Sequence, residues 1–281
     1  MKELFFERRG IFYTVNDFQE GRPTIVFIHG LSGSSSAWFL FEKALKHRYN
    51  LLMLDLRGHG KSSKPRGYRA YDIRELTQDI AELTDHLGLR DFILVSHSFG
   101  TLVALEYLLA HQHNVARAIF LSPNYGVHRT RRARLSRPFL TAIIRIANVF
   151  PFSTKRGIRL DYSKYLNTGD WNLRRMAADI SNTTLRVYLY CLEHTYKFNR
   201  DGWWSRINVS TLIVHGRDDS VIPVANAEQM AARIYDAELK VLDNADHMLV
   251  LNKVNEIAPV IETFLSEKRL NQATIDNTAT V

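Results

Sequence analysis

Phe92-Ile93-Leu94-Val95-Ser96-His97-Ser98-Phe99-Gly100 decides the fold. An apolar run of strand character enters a small-x-Ser-x-Gly turn, and helical spacing resumes immediately at 99–112. A sharp strand-to-helix turn lifts the Ser98 hydroxyl to the end of a sheet, and small residues at 96 and 100 let strand and helix approach closely. A serine between strand and helix is also a common N-cap, so the surrounding pattern must decide its role. Working outward, apolar or alternating runs recur at 4–6, 11–15, 24–28, 51–54, 118–121, 211–214 and 239–242. Helical spacing occupies 36–48, 72–87, 225–234 and 253–267. The first two runs read as an antiparallel pair, and the remainder alternate strand, helix, strand. The expected architecture is therefore α/β: a mostly parallel eight-stranded sheet flanked by helices.

One segment interrupts the alternation. Residues 122–205 contain no buried-strand run and show helical periodicity, with Phe139, Ile143, Ile146 and Phe150 on one stripe and Leu140, Ile144 and Ala147 beside it. An insertion at the C-terminal edge of a parallel sheet lies over the place where such sheets bind ligands. The expected organisation is a core of 1–121 and 206–268, a helical cap of 122–205 after the sixth strand, and a disordered tail over 269–281. Phe139, Ile143, Ile146 and Phe150 are candidate pocket-lining residues of the cap.

Composition limits the function classes. The chain has 281 residues, 46% hydrophobic and 11% aromatic, which is ample for a large core and excludes a disordered or fibrous protein. The single cysteine, Cys191, can form neither an intrachain disulfide nor a cysteine-based zinc cluster, and suits a cytoplasmic location. The charged start Met1 to Arg9 predicts no signal peptide, and no apolar stretch is long enough to span a bilayer. The net charge of +8 is unevenly distributed: residues 122–205 carry 15 Lys and Arg against 5 Asp and Glu, and the rest carries 22 against 24. No nucleic-acid-binding signature accompanies the basic segment, so no nucleic-acid partner is expected.

With these motifs in place, the chain resembles the α/β-hydrolase family, in which Ser98 takes the position of the nucleophile. The resemblance extends over 1–121 and 206–268 and is positional only for the cap. His215-Gly216-Arg217-Asp218-Asp219-Ser220-Val221-Ile222-Pro223 looks like the family's Gly-x-x-Asp-x-x-x-Pro segment, which selects Asp219 as the acid over Asp218. Asn244-Ala245-Asp246-His247-Met248 matches the place of the family's histidine, making His247 the base. The order nucleophile, acid, histidine is the family's order. A serine hydroxyl is a weak nucleophile, so an imidazole must take its proton and a buried carboxylate must orient that imidazole. Some relatives place the acid after the sixth strand, but Leu121-Ser122-Pro123-Asn124 has no carboxylate. One departure stands out: the turn's first small residue is usually glycine and here is Ser96.

The resemblance also implies an oxyanion hole made from the backbone N–H groups of Phe99 and Leu31, the latter from the His29-Gly30-Leu31 segment. His29 is then a structural histidine. Asp55-Leu56-Arg57-Gly58-His59-Gly60-Lys61-Ser62 resembles the loop after the family's fourth strand and takes a structural role, because its glycine spacing fits neither common phosphate-binding pattern. His111 and His113 lack a third ligand and read as solvated histidines, so neither metal nor cofactor is expected.

Epoxide hydrolases and dehalogenases of this family use an aspartate nucleophile, whereas a serine implies acyl chemistry. The expected activity is carboxylic ester hydrolysis on a small-molecule or lipid ester, with an esterase or lipase-like character. A carbon–carbon bond hydrolase, an acyltransferase and a ligand receptor of the same fold are alternatives. Five arginines within 128–137 precede the apolar cap helix, a pattern suited to weak peripheral contact with an anionic membrane. The opposing reading packs the apolar stripe over the pocket and leaves the arginines solvated. Oligomeric state is not legible.

Overall fold

The apolar runs are continuous because both faces of the sheet are covered. In the computed structural model, which describes residues 1–125, 131–200, 202 and 204–266 and only the backbone of 131–134, eight strands form one sheet. They are β1 (Lys2–Phe6), β2 (Ile11–Val15), β3 (Thr24–Ile28), β4 (Asn50–Leu54), β5 (Phe92–His97), β6 (Val115–Leu121), β7 (Thr211–Gly216) and β8 (Ala237–Leu242). Their order is β1-β2-β4-β3-β5-β6-β7-β8. β1 and β2 pair antiparallel, β2 joins β4 antiparallel, and every other pairing is parallel.

Period-two alternation divides each central strand between two cores. Val26, Ile28, Leu52, Leu54, Leu94, Ala118, Phe120 and Ile213 face one side. Ile25, Phe27, Leu51, Met53, Ile93, Val95, Ile119, Leu121, Leu212 and Val214 face the other. Helices α2 (Ile73–His86), α3 (Phe99–His111) and α7 (Val224–Ala231) cover the first side; α1 (Phe39–Leu45), α8 (Leu249–Asn252) and α9 (Val254–Ser266) cover the second. The edge strand β8 differs: Glu238 and Lys240 are exposed while their neighbours are partly buried, as expected of a strand with one open side.

Among the described residues, three α-helices lie between β6 and β7: α4 (Arg131–Ala147), α5 (Leu173–Thr183) and α6 (Leu185–Lys197). No strand occurs among the described residues of that insertion. Polar contacts seat it on the sheet's C-terminal end: Thr183 donates to the Ser32 carbonyl at 3.1 Å, Lys64 to the Asn182 carbonyl at 2.5 Å, and the Gly157 N–H to the Gly60 carbonyl at 2.7 Å. The tail proposed for 269–281 lies outside the described residues.

The strand order reverses between β3 and β5, since the chain leaves β3 toward β4 and leaves β5 toward β6. A crevice opens where neighbouring connections depart in opposite directions, and both the Ser98 turn and the Gly30-Leu31 loop emerge there. The 55–62 loop supports this edge. Asp55, buried at the end of β4, accepts the N–H groups of Ser35 and Lys61, both at 2.7 Å. Gly60 has φ +46, and a Cβ there would stand 2.1 Å from the Asp55 carboxylate. This loop is a structural brace, as its sequence suggests.

Candidate active site

The β5–α3 turn is tight because glycine permits it. At Gly100 a Cβ would stand 2.6 Å from the carbonyl oxygens of both Ile28 and His29, so the first turn of α3 lies directly against β3. Ser98 adopts φ +50 and ψ −116, a conformation rare for a residue with a side chain and found where function demands it. Its hydroxyl makes no capping bond to α3, which removes the N-cap reading. Instead it meets His247 Nε2 at 2.8 Å.

His247 Nδ1 lies 2.7 Å from Asp219 Oδ2, completing a serine, imidazole and carboxylate chain. The Asp219 side chain is fully buried, and its second oxygen accepts the N–H groups of Val221 at 2.9 Å and Ile222 at 2.7 Å. Burial pushes this carboxyl up, but its bond to His247, the charge there and the Ile222 N–H outweigh burial and hold it below the usual carboxylate range. An ionised Asp219 fixes Nδ1 as the donor and leaves Nε2 free to accept from Ser98. The loops carrying Asp219 and His247 are themselves joined: Arg217 N–H donates to the Leu242 carbonyl and Asp218 N–H to the Ala245 carbonyl, both at 2.9 Å. Gly216 allows the crossing, since a Cβ there would stand 2.2 Å from the Ala245 carbonyl.

Ser98 and His247 open into a cavity of about 430 Å³ under α5 and α6, also lined by Leu31 and Phe99, whose N–H groups are the sequence-derived oxyanion donors. Its walls are mostly apolar, with Trp38, Ile180, Tyr188, Leu192 and Val250, and the polar residues Tyr162, Asp170, Arg175 and Asp179 stand among them. Tyr162 donates to Asp179 at 2.7 Å, and burial raises the Asp179 carboxyl to about 6. Such a site can activate a hydroxyl, hold an acyl group against apolar walls and exclude bulk water.

Residues 23–254 match the model of the alpha/beta hydrolase fold. The chain belongs to the alpha/beta hydrolase fold family. It is 29% identical to the non-heme haloperoxidase of Rhodococcus erythropolis over 84% of this chain and 89% of that protein. Among solved structures it superposes on a hydrolase from Pseudomonas aeruginosa PA01 with TM-score 0.73, at 21% identity and covering 92% of this chain and 94% of the other. It superposes on an esterase from Exiguobacterium antarcticum with TM-score 0.69, at 22% identity and covering 92% and 96% respectively.

The departure from the family's turn is accommodated. Ser96 is completely buried, and its hydroxyl donates to Thr101 Oγ1 at 3.2 Å, so the extra oxygen finds a partner inside the turn. His29 is fully buried, with Nδ1 against the Gly30 carbonyl at 2.8 Å and Nε2 accepting the Leu56 N–H at 2.9 Å. Burial lowers it to about 4, and the neutral ring pins the loop, as the structural reading requires. Among the described residues no group of three His, Cys, Asp or Glu is placed to hold a metal ion, and His111 and His113 are not drawn into one.

The cap stripe is a correction. Phe139, Ile143, Ile146 and Phe150 do not line the cavity; they are 74%, 50%, 63% and 64% exposed. Leu140 and Ile144 of α4 turn inward instead, at 8% and 6%. A helix with two adjacent apolar stripes does not reveal from periodicity which one faces the protein. The cavity walls come instead from α5, α6 and the segment before them. Sequence reasoning also missed Tyr162, Asp170, Arg175 and Asp179, since isolated polar residues in an aperiodic insertion carry no spacing signal.

Proposed function

We propose that this alpha/beta hydrolase is a serine hydrolase that cleaves carboxylic esters. The observation that carries the reading is the Ser98 hydroxyl at 2.8 Å from an imidazole whose other nitrogen is 2.7 Å from a buried carboxylate, all opening into one cavity. His247 takes the Ser98 proton as Oγ attacks the acyl carbon; the oxyanion is held by the Phe99 and Leu31 N–H groups; His247 then protonates the departing alcohol. Water deprotonated by the same imidazole attacks the acyl-enzyme and releases the acid, restoring the Ser98 hydroxyl. The cavity volume suits a short or medium acyl group. Hydrolysis of p-nitrophenyl esters from acetate to palmitate by the wild type and by Ser98→Ala tests this. Turnover peaking at short to medium chains and vanishing in the variant is expected. Ser98-independent turnover, or none at any length, would overturn the ester reading in favour of another acyl or carbon–carbon substrate or a receptor.

The exposed stripe of α4 favours a second element of the reading. Leu135, Phe139, Ile143 and Ile146 of α4 and Phe150 just beyond it are exposed at helical spacing, as are Arg137 and Arg145, in the segment that carries the chain's excess positive charge. Large exposed apolar patches on a basic helix are suited to the interfacial layer of an anionic membrane. No helix among the described residues is long and apolar enough to cross a membrane, so the contact would be peripheral. Co-sedimentation stronger with phosphatidylglycerol than with phosphatidylcholine vesicles at low salt is expected. Equal binding to both would overturn it.

A further inference from the structure

The cap does more than roof the cavity. Asp170, in the cap segment just before α5, is 9% exposed and lies between the two loops that carry acid and base. Its Oδ1 accepts the backbone N–H of His247 itself at 2.7 Å. Its Oδ2 accepts both the N–H of Ser220, at 3.0 Å, and the Ser220 hydroxyl, at 2.6 Å, and Ser220 directly follows the acid Asp219. One carboxylate thus ties the base to the neighbour of the acid.

The neighbouring cap residues reinforce this clasp. Trp171 donates from Nε1 to the Ser220 oxygen at 2.9 Å. Arg175 donates to the Asp170 carbonyl at 2.5 Å and contacts the sulfur of Met248, which follows His247. On the opposite side the core contributes its own restraint, His97 Nε2 donating to the His247 carbonyl at 3.0 Å. Both backbone polar groups of the base are therefore fixed, the carbonyl by the core and the N–H by the cap.

We propose that Asp170 is a positioning residue that makes the alignment of Ser98, His247 and Asp219 depend on the seated cap. His247 must hold two short side-chain bonds at once, and a displacement of about 1 Å at such a group costs on the order of 100-fold in rate. An anionic bridge with three donors is stronger than neutral hydrogen bonds, so it fixes the two loops relative to one another. When the cap lifts, the bridge leaves with it and the base loses the restraint on its N–H. Full nucleophilicity of Ser98 is then confined to the state in which the cap is seated over the cavity.

This rests on the serine-hydrolase reading, and two readouts separate them. The first is the rate of Ser98 labelling by a fluorophosphonate, which reports nucleophilicity without regard to the natural ester. It is measured for Asp170→Ala, Asp170→Asn and Ser220→Ala, each with Asp219 intact and in an Asp219→Asn background. The second is the low-field proton resonance of His247 Nδ1, which needs no turnover. Asp170→Ala is expected to slow labelling about 10- to 100-fold with Asp219 intact and much less in the Asp219→Asn background. Asp170→Asn, isosteric and still able to satisfy one loop, is expected to fall between, and Ser220→Ala to show a smaller loss. The Nδ1 resonance is expected to broaden or vanish in Asp170→Ala. Equal fold losses in both backgrounds would reduce Asp170 to a tether of the cap, and wild-type labelling in Asp170→Ala would overturn the proposal. If the wild type itself resists the probe, the serine-hydrolase reading fails and the resonance decides: its loss in Asp170→Asn or Asp170→Ala supports the positioning role, and its persistence overturns it.

Discussion

Asp218 and Asp219 are adjacent in the chain and opposite in environment. The Asp219 side chain is buried on His247 and two backbone N–H groups, whereas Asp218 is exposed and engages the His247 loop through its main chain. Replacing Asp219 by Asn leaves the shape but puts a donor where Nδ1–H must be accepted, favouring the wrong imidazole tautomer. We expect Asp219→Asn to lower kcat by about 10⁴-fold with little change in thermal stability. Asp218→Asn should leave kcat near the wild-type value. Steady-state kinetics on an ester turned over by the wild type checks both, and a larger loss from Asp218→Asn would reassign the acid.

The close approach of α3 to β3 makes a second prediction. Gly100→Ala introduces a methyl group 2.6 Å from two backbone carbonyl oxygens, neither of which can rotate away. Strand and helix must separate, and the Ser98 turn with them. We expect a loss of roughly 1 to 3 kcal/mol in unfolding free energy, with reduced Ser98 reactivity. Gly67→Ala is the control, since nothing lies within 4 Å of its Cβ position and its φ is −75. That variant should be unchanged or slightly stabilised, and chemical denaturation compares the two.

The contrast between these sites and the cap explains what the sequence discloses. The strands and the three residues of the proposed triad are legible because sheet burial imposes period-two apolar runs, and the acid and base sit in turns at defined strand ends. Ser98 is legible because its turn needs small neighbours on both sides. Asp170 is not, because what gives it meaning is its proximity to Ser220 and to His247, 77 residues away. The orientation of α4 is not legible either, since Ile143 and Ile144 are equally apolar and only packing against α6 selects Ile144 for the interior.

Buried histidines set the pH dependence of stability. Burial lowers His29 to about 4, and burial with a neighbouring histidine lowers both His59 and His97 to about 3. Each is neutral in the folded state while its unfolded counterpart takes a proton below about 6.5. Unfolding therefore takes up protons, and the stabilisation present above pH 6.5 is lost as pH falls toward those values. Asp179, raised to about 6, works in the opposite direction by holding a proton that its unfolded form releases. His111, His194 and His215 are lowered as well, and Asp55, Asp79 and Asp246 are raised, all mainly by burial; the lowered histidines outnumber the raised carboxyls, so the net is a loss of stability between pH 6.5 and 5. Melting temperature should fall across that interval, and a flat or rising profile would contradict the buried neutral assignments.

Pairs of neighbouring residues on α4 separate packing from surface. Ile144 and Leu140 are buried against the protein, and beside them Ile143 is half exposed and Phe139 mostly exposed. Truncating a buried aliphatic side chain removes its transfer free energy and leaves a cavity, so Ile144→Ala should cost about 2 to 4 kcal/mol or melt the cap locally. Ile143→Ala and Phe139→Ala remove apolar area that water already reaches, and each should change stability by less than about 0.5 kcal/mol. The same exposed substitutions should weaken sedimentation with anionic vesicles while leaving ester turnover in free solution intact, because neither side chain lines the cavity. Denaturation and vesicle binding measured on the same variants distinguish the alternatives. A large stability loss from Phe139→Ala would place that stripe against protein, and unchanged vesicle binding would remove it from any membrane contact.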